Sequence, residues 1–472
     1  MLNGFEMVES QLSEILSMPS ASIPAPAGHG KTEMICDLVR LSTGKQLILT
    51  HTHAGVDAIR TRLKKHGISS STYRVRTIAG FCLYWCNAYP NTARFDTSLS
   101  PATNDKFFEQ VYHGSSLILQ TSWAQRVLRQ TYERVIVDEY QDCNITQHRL
   151  MEIISTFLPV IVLGDPLQAI FGWAGELVDW PSLAFPRVDI KTYPWRWSKT
   201  NPALGEWLTR VRRQLLPVLD GQPVTVEVTN IPNVVTVVAD SNFNPYKILK
   251  HDGSITFITR YKQEQEKFSL FMGGLFQNDE AQNCTLLNKY STSFDTKQGI
   301  ELCLAVIDFV SKCATSVKKE LKSYLDHLKL GDVRFDRIQK HQDIGRCISM
   351  LSKTNNITDA ISLIEQFRKN SVFKVYRKEV IDEMIRALKY SCERMSIYDA
   401  VQHIRNDFAL QKRYSHFQRL SSRTVLSKGL EFDYVIVDMR KGFYAKDFYV
   451  AITRAMKHVY IISDNPCFYF SK

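Results

Sequence analysis

The sequence has no run of about 18 uncharged apolar residues, the length a bilayer-crossing helix needs, so a helical membrane span is excluded. Its opening stretch, "MLNGFEMVESQLSEIL", has acids, no basic start and no unbroken apolar segment; no secretory signal is expected, and a cytoplasmic location follows. There is no low-complexity tract and no evident internal repeat. The 10 cysteines are scattered, and the one close pair, Cys82 and Cys86 in "FCLYWC", stands a helical turn apart with no second pair nearby. A structural zinc or iron–sulfur centre normally takes four ligands, so buried thiols are expected instead. Negative charge is the scarcer sign. With 48 Asp+Glu against 59 Lys+Arg the net charge is +11, which favours an acidic partner such as nucleic acid.

The 472 residues exceed what one hydrophobic core usually supports, so two to four domains are expected. Apolar runs ending in polar residues recur along the first part: "KQLILTHTHA", "RVIVDEYQD" and "PVIVLGDPLQAIFGW". Buried parallel strands read this way and present ligands at their carboxyl ends. A second set of strands is expected in "VDIKTYPWRW", "VVTVVADS", "SITFITR", "FDYVIVDM" and "HVYIIS". Between about 276 and 415 the period is helical, as it is in a smaller insert at about 84–130.

Two clusters carry chemistry. "APAGHGKT" keeps the spacing of a phosphate loop, with Ala25 where a first glycine is usual, then Pro26, Ala27, Gly28, His29, Gly30, Lys31 and Thr32. Lys31 would give a point charge to the β and γ phosphates of ATP and Thr32 a hydroxyl to Mg2+. Pro24 and Pro26 lack N–H donors, but the cradle is built mostly from about Gly28 onward. His29 occupies a variable place and is expected to be exposed. "SASI", the strand before the loop, is a poor one. The second cluster, "VIVDEYQD", sets Asp138 to hold Mg2+ and Glu139 to orient and deprotonate an attacking water.

The D-E-x-Q-D signature, followed about 25 residues later by "GDPLQAIFGWAG", closely resembles the UvrD/Rep-like superfamily 1 DNA helicases. The resemblance runs through nearly the whole chain in the family's motif order. It implies that Gln11 reads adenine, that Thr52 and His53 in "LTHTHAGVDAIRTRL" touch DNA backbone, and that Thr77 in "RTIAGF" contacts a phosphate. Gln168 matches the γ-phosphate sensor, and Phe171 and Trp173 match aromatics that stack on bases. In "YPWRWS", Arg196 matches an arginine that reaches the γ phosphate and Trp195 an aromatic that packs on adenine. Arg260 in "ITRYKQ" falls at motif IV, Gly429 and Glu431 in motif V, and Arg454 in "AITRAMK" at the second arginine finger. One departure is Val425, where the family often has histidine.

The resemblance implies an α/β fold of two RecA-like P-loop domains with parallel sheets, each interrupted by a mostly helical insertion. The expected divisions are 1–83 with 131–190 for the ATP-binding domain, 84–130 for its insertion, 191–275 with 416–472 for the second RecA-like domain, and 276–415 for the second insertion. ATP is expected in the cleft between the two RecA-like domains. Lys31, Glu139, Gln168, Arg196 and Arg454 would carry an ATP-driven, 3′–5′ translocation on single-stranded DNA. A rival reading is a nucleotide-gated DNA-sensing or interaction subunit of a nuclease complex that does not unwind processively. The compact plan, without a nuclease motif, resembles the helicase subunit of Gabija-type antiphage systems, whose partner is an OLD-type nuclease; DNA repair is the other setting.

Overall fold

The computed structural model describes residues 11–99, 106–172, 175–279, 285–391, 395–410 and 418–471. The chain forms two compact units. The first comprises Met1–Val237, Gly442–His458 and Asn465–Lys472, and the second Val238–Lys441 and Val459–Asp464.

The first unit is built on a wholly parallel five-stranded sheet. Its strands are β1 (Ser20–Pro24), β2 (Gln46–Thr50), β3 (Tyr73–Thr77), β4 (Arg134–Val137) and β5 (Val160–Gly164), in the spatial order β1-β5-β4-β2-β3. Successive side chains of a strand point to opposite faces, and both faces here are covered. Ile48, Ile136 and Ile161 join one core with Met34, Ile35, Leu38, Val56 and Ile59. Leu47, Leu49, Val135, Val137, Val160 and Val162 join the other, with Phe81, Leu150 and Met151. The near-continuous apolar runs in the sequence have this two-sided burial as their cause.

The described helices of this unit include α1 (Lys31–Leu41), α2 (His53–Lys65), α3 (Ile78–Ala88), α4 (Phe107–Leu119), α5 (Ser122–Thr131), α6 (Ile145–Ser155), α7 (Pro202–Leu215) and α8 (Ala445–Ile452). Side-chain caps set several of their starts. The Oγ1 of Thr52 accepts from the N–H of Gly55 at 3.0 Å, and that of Thr77 accepts from Gly80 at 2.9 Å. Asn144 and Gln147 form a reciprocal capping box at the start of α6. Between 84 and 130 the described residues hold the end of α3, a single turn at Pro90–Ala93, α4 and most of α5. Cys82 and Cys86 are both buried and free, as expected, and burial pushes the Cys82 thiol up to about 12.

The expectation for "SASI" is corrected: Ser20–Pro24 is a full strand, paired with Val160–Gly164 along its length. On its other side Ser22 donates its N–H to Pro186 at 2.7 Å and accepts from Val188 at 2.9 Å. Hydrogen bonds on both sides and burial, not β propensity, make it a strand. "VDIKTYPWRW" is corrected the other way. Apart from an isolated bridge between Arg187 and Ser22, this region holds no strand, and Trp195–Trp197 forms a 3-10 turn. Pro194 lacks the N–H that a strand interior needs.

In the second unit Ile255–Thr259 pairs in parallel with Arg419–Arg423 on one side and Phe432–Asp438 on the other, and Gln277–Asn278 adds a short parallel edge. The stretch expected to be helical holds Thr285–Thr296, Gly299–Ser311, Lys322–Lys329, Gln342–Thr354, Ile357–Lys369, Lys378–Ser391 and Ile397–Leu410. They close on one apolar core that includes Phe309, Ile348, Leu363, Phe367 and Met384. No described helix is long and apolar enough to cross a membrane.

Candidate nucleotide site

The carboxyl ends of β1, β4 and β5 bring the polar clusters of the first unit together. β1 runs into the phosphate loop, whose root is tied to the sheet by the Ala25 N–H donating to the Gly164 carbonyl at 2.8 Å. Gly28 and Gly30 have φ of 69° and 88°, a region open to glycine at little cost, and Gly30 is the N-cap of α1. No side chain caps that helix, so its first N–H groups stay available to an anion, and the helix dipole favours one there.

Gly28 is fixed sterically as well. A Cβ at that position would stand 2.6 Å from the Trp197 ring and 2.9 Å from the Cβ of Arg196. The Arg196 N–H donates to the Gly28 carbonyl at 3.0 Å, while its guanidinium donates to the Thr453 carbonyl at 3.0 Å. Trp197 Nε1 donates to the Ala455 carbonyl at 2.6 Å. The "WRW" turn therefore binds the phosphate loop on one side and the "TRA" segment on the other. Trp195 is about half exposed, its ring lies beside Gly30, and it meets Tyr193 edge to face at 4.9 Å.

The acids sit one strand beyond β5. The Asp138 N–H continues the ladder to Leu49, and its Oδ1 accepts from the N–H of Glu139 at 2.9 Å. Glu139 is held at φ 54°, a left-handed conformation that costs a non-glycine residue of the order of 1 kcal/mol and collects at functional sites. Its Oε1 lies 3.7 Å from Lys31 Nζ, and its other oxygen accepts from the Gln141 amide at 2.5 Å. Asp138 is buried. That burial, with the negative charge of Glu139 beside it, pushes its carboxyl well above the usual carboxylate range, against the pull of Lys31. Adjacent carboxylates, with the Thr32 hydroxyl at the start of α1, suit a hard divalent cation such as Mg2+.

Asp165, fully buried just after β5, is the hub that sequence reasoning missed. Its Oδ2 accepts from the Ala27 N–H at 2.9 Å, and its Oδ1 accepts from Arg212 Nη2 of α7 at 3.1 Å. Its own N–H donates to Gln141 Oε1 at 3.0 Å. Tyr449 of α8, also buried, belongs to a helix packed against α7 and the Pro166–Gln168 turn, and its phenol interacts electrostatically with Asp165 and Arg212. Burial drives the Tyr449 phenol well above its usual range. Burial alone would lower the pKa of Arg212, but Asp165 and Tyr449 more than offset it. The "GDP" after an apolar run was the available signal for Asp165; nothing local marks Arg212 or Tyr449.

Gln168 is buried, its N–H donating to the Asp165 carbonyl at 2.8 Å and its amide to Asp165 Oδ2 at 3.4 Å. The expectation for His29 is corrected. It is buried, with Nδ1 2.8 Å from the Ala27 carbonyl, and burial lowers its pKa. Arg454 is buried too, donating from Nε to the Val450 carbonyl and from Nη2 to Thr453 Oγ1, each at 3.0 Å. Lys31, Glu139, Gln168, Arg196 and Arg454 thus belong to one unit, whereas Arg260 and Glu431 lie in the other. Arg260 stacks there over the Tyr261 ring at 5.3 Å. Gln11 begins the described part, half-buried. Of the expected DNA contacts, Thr52 and His53 are exposed at the start of α2, Phe171 is half-buried, and Thr77 is buried with its hydroxyl engaged in capping α3. Trp173 lies outside the described residues.

Residues 102–179 match the UvrD/REP helicase N-terminal domain, a stretch that contains both "VIVDEYQD" and "GDPLQAIFGW". Among curated proteins, the chain is 29% identical over 94 residues to a probable DNA helicase of Mycoplasma pneumoniae, covering 18% of each chain. It is 33% identical over 82 residues to the exonuclease/helicase subunit RexA of Lactococcus lactis, covering 17% of this chain and 7% of that one. To a probable DNA helicase II homolog of Rickettsia conorii it is 29% identical over 73 residues, covering 15% of this chain and 11% of the relative. The chain thus matches less than a fifth of the length of each of these relatives. The crystal structure of Pif1 helicase from Candida albicans aligns over 98% of this chain and 95% of its own with 12% identity and a TM-score of 0.38, a likeness too distant to carry weight. What these matches share is a similarity of part of the chain to DNA helicases, centred on the residues 102–179 that match the UvrD/REP helicase N-terminal domain.

Proposed function

We propose that the protein hydrolyses ATP to translocate along single-stranded DNA, with 3′–5′ polarity, and to unwind duplex. The observation that carries this reading is the pairing of Lys31 with Glu139 at 3.7 Å beside a buried Asp138, at the uncapped start of α1. Lys31 and the N–H groups from Gly28 onward bind the phosphates. Thr32 and Asp138 hold Mg2+, which when bound neutralises phosphate charge. Glu139 orients the attacking water and takes its proton, Gln168 senses the γ phosphate, and Arg196 and Arg454 offset the charge that develops on it. Gln11 and Trp195 take the adenine. Thr52, His53, Thr77, Phe171 and Trp173 grip the strand by phosphate contacts and by stacking, which is indifferent to base identity. Antiphage defence beside an OLD-type nuclease, or DNA repair, are the settings this plan fits.

The test is steady-state ATPase activity of the purified chain with and without single-stranded DNA, beside Glu139→Gln and Lys31→Ala. DNA should stimulate turnover. Glu139→Gln should lower it by about 10²–10⁴ while nucleotide and DNA still bind, since the substitution removes the base and keeps the shape. Lys31→Ala should weaken nucleotide binding itself. Near-normal turnover in Glu139→Gln removes the acid assignment; tight ATP binding with no DNA-stimulated turnover in the wild type favours the gated interaction subunit.

A further inference from the structure

Between α7 and α8, Asp165 presents a carboxylate to the root of the phosphate loop. The arrangement sets a physical problem. The Asp165 carboxylate holds the Ala27 N–H, immediately before Gly28, and so fixes the direction in which the following N–H groups point. A fully buried anion so close to the seat of a polyphosphate would also repel it, because a buried charge is little screened. The Arg212 guanidinium, itself largely buried, meets the carboxylate at 3.1 Å and cancels that charge. Tyr449, fully buried on α8, which packs against α7 and the turn that follows Asp165, closes the other side of this pair. None of these groups is placed to touch the reacting atoms.

We infer that Arg212 and Tyr449 are positioning residues for nucleotide binding: they hold Asp165 as a charge-neutral anchor of the phosphate loop, so that the loop is aimed without the anchor repelling the phosphates. The clamp also reaches the hydrolytic acid. The Asp165 N–H is held by Gln141, whose amide in turn bonds Glu139, so loop root and acid share one rigid support. A clamp of this kind acts on affinity for anionic nucleotide more than on the chemical step, and more strongly as phosphate charge increases.

This inference rests on the proposed nucleotide site, and the experiment separates the two. Dissociation constants for ATP, ADP and AMP are measured on the full-length chain, wild type and variants, together with ATPase KM and kcat, single-stranded DNA affinity and melting temperature. Tyr449→Phe should raise the KM for ATP about threefold or more with kcat changed less than twofold. Arg212→Met should weaken ATP binding by about tenfold or more, ADP by less and AMP least, with DNA affinity unchanged. Asp165→Asn added to Arg212→Met should restore part of the loss, because the repelling charge is gone while an acceptor for Ala27 remains. If Arg212→Met does not fold, Tyr449→Phe and Arg212→Lys decide, the lysine variant retaining near-normal affinity through its charge. Folded variants with wild-type KM, or equal losses for ATP and AMP, overturn the clamp. A wild-type protein that binds no nucleotide overturns both readings.

Discussion

The phosphate-loop edge of the first unit and the helical body of the second solve opposite problems. Around Leu363, Phe367, Ile348 and Met384 the helices bury mainly hydrocarbon, with few polar side chains such as Ser291, Glu383 and Ser391 among it, and stability there follows the area removed from water. Around Asp165 the chain buries His29, Asp138, Gln141, Gln168 and Tyr449 and half-buries Arg212, groups that lose solvation and recover it only through particular partners. The helical body therefore tolerates exchange of one apolar side chain for another of similar volume, whereas the loop edge depends on each member being present. The difference shows where stability is made and where it is spent.

Three substitutions sharpen that contrast. The largest effect is expected from Arg454→Ala, about 10³ in ATPase rate at saturating ATP and DNA, with nucleotide and DNA still bound, if the buried guanidinium serves the γ phosphate as proposed. An unchanged rate would remove the helicase reading of the C-terminal segment. In the helical body, Leu363→Ala should cost about 2–5 kcal/mol of stability by leaving a cavity, read as a lower denaturant midpoint. Its ATPase rate per folded molecule at low temperature should remain near wild type; a collapse of kcat without loss of stability would erase the distinction between the regions. The smallest effect is expected from Asn144→Ala, which removes the capping box of α6 just after the acidic cluster. About 1 kcal/mol of stability should go, with little change in KM.

The parts legible in the sequence were those written in consecutive residues. "KQLILT", "RVIV" and "VIVLG" each declare a strand buried on both faces, and the loop and acids follow their carboxyl ends directly. "SASIP" reads poorly because its order comes from neighbours supplied by distant parts of the chain, Val160–Gly164 and the Pro186–Val188 stretch. His29 looks exposed because loops usually are, but its ring folds back onto the Ala27 carbonyl and is covered. Arg212 and Tyr449 were unreadable for a plainer reason. Their meaning exists only where side chains 47 and 284 residues from Asp165 meet at its carboxylate, and no local pattern encodes such a meeting.

Trp197 turns the "WRW" turn into an optical instrument. Its indole is fully buried, hydrogen-bonded through Nε1 to Ala455, and pressed against Gly28 at the heart of the phosphate loop. Its emission should be blue-shifted, and any movement of the loop must move an atom in contact with the fluorophore. The protein thus carries its own spectroscopic probe, readable without labels on the timescale of a stopped-flow mixing experiment.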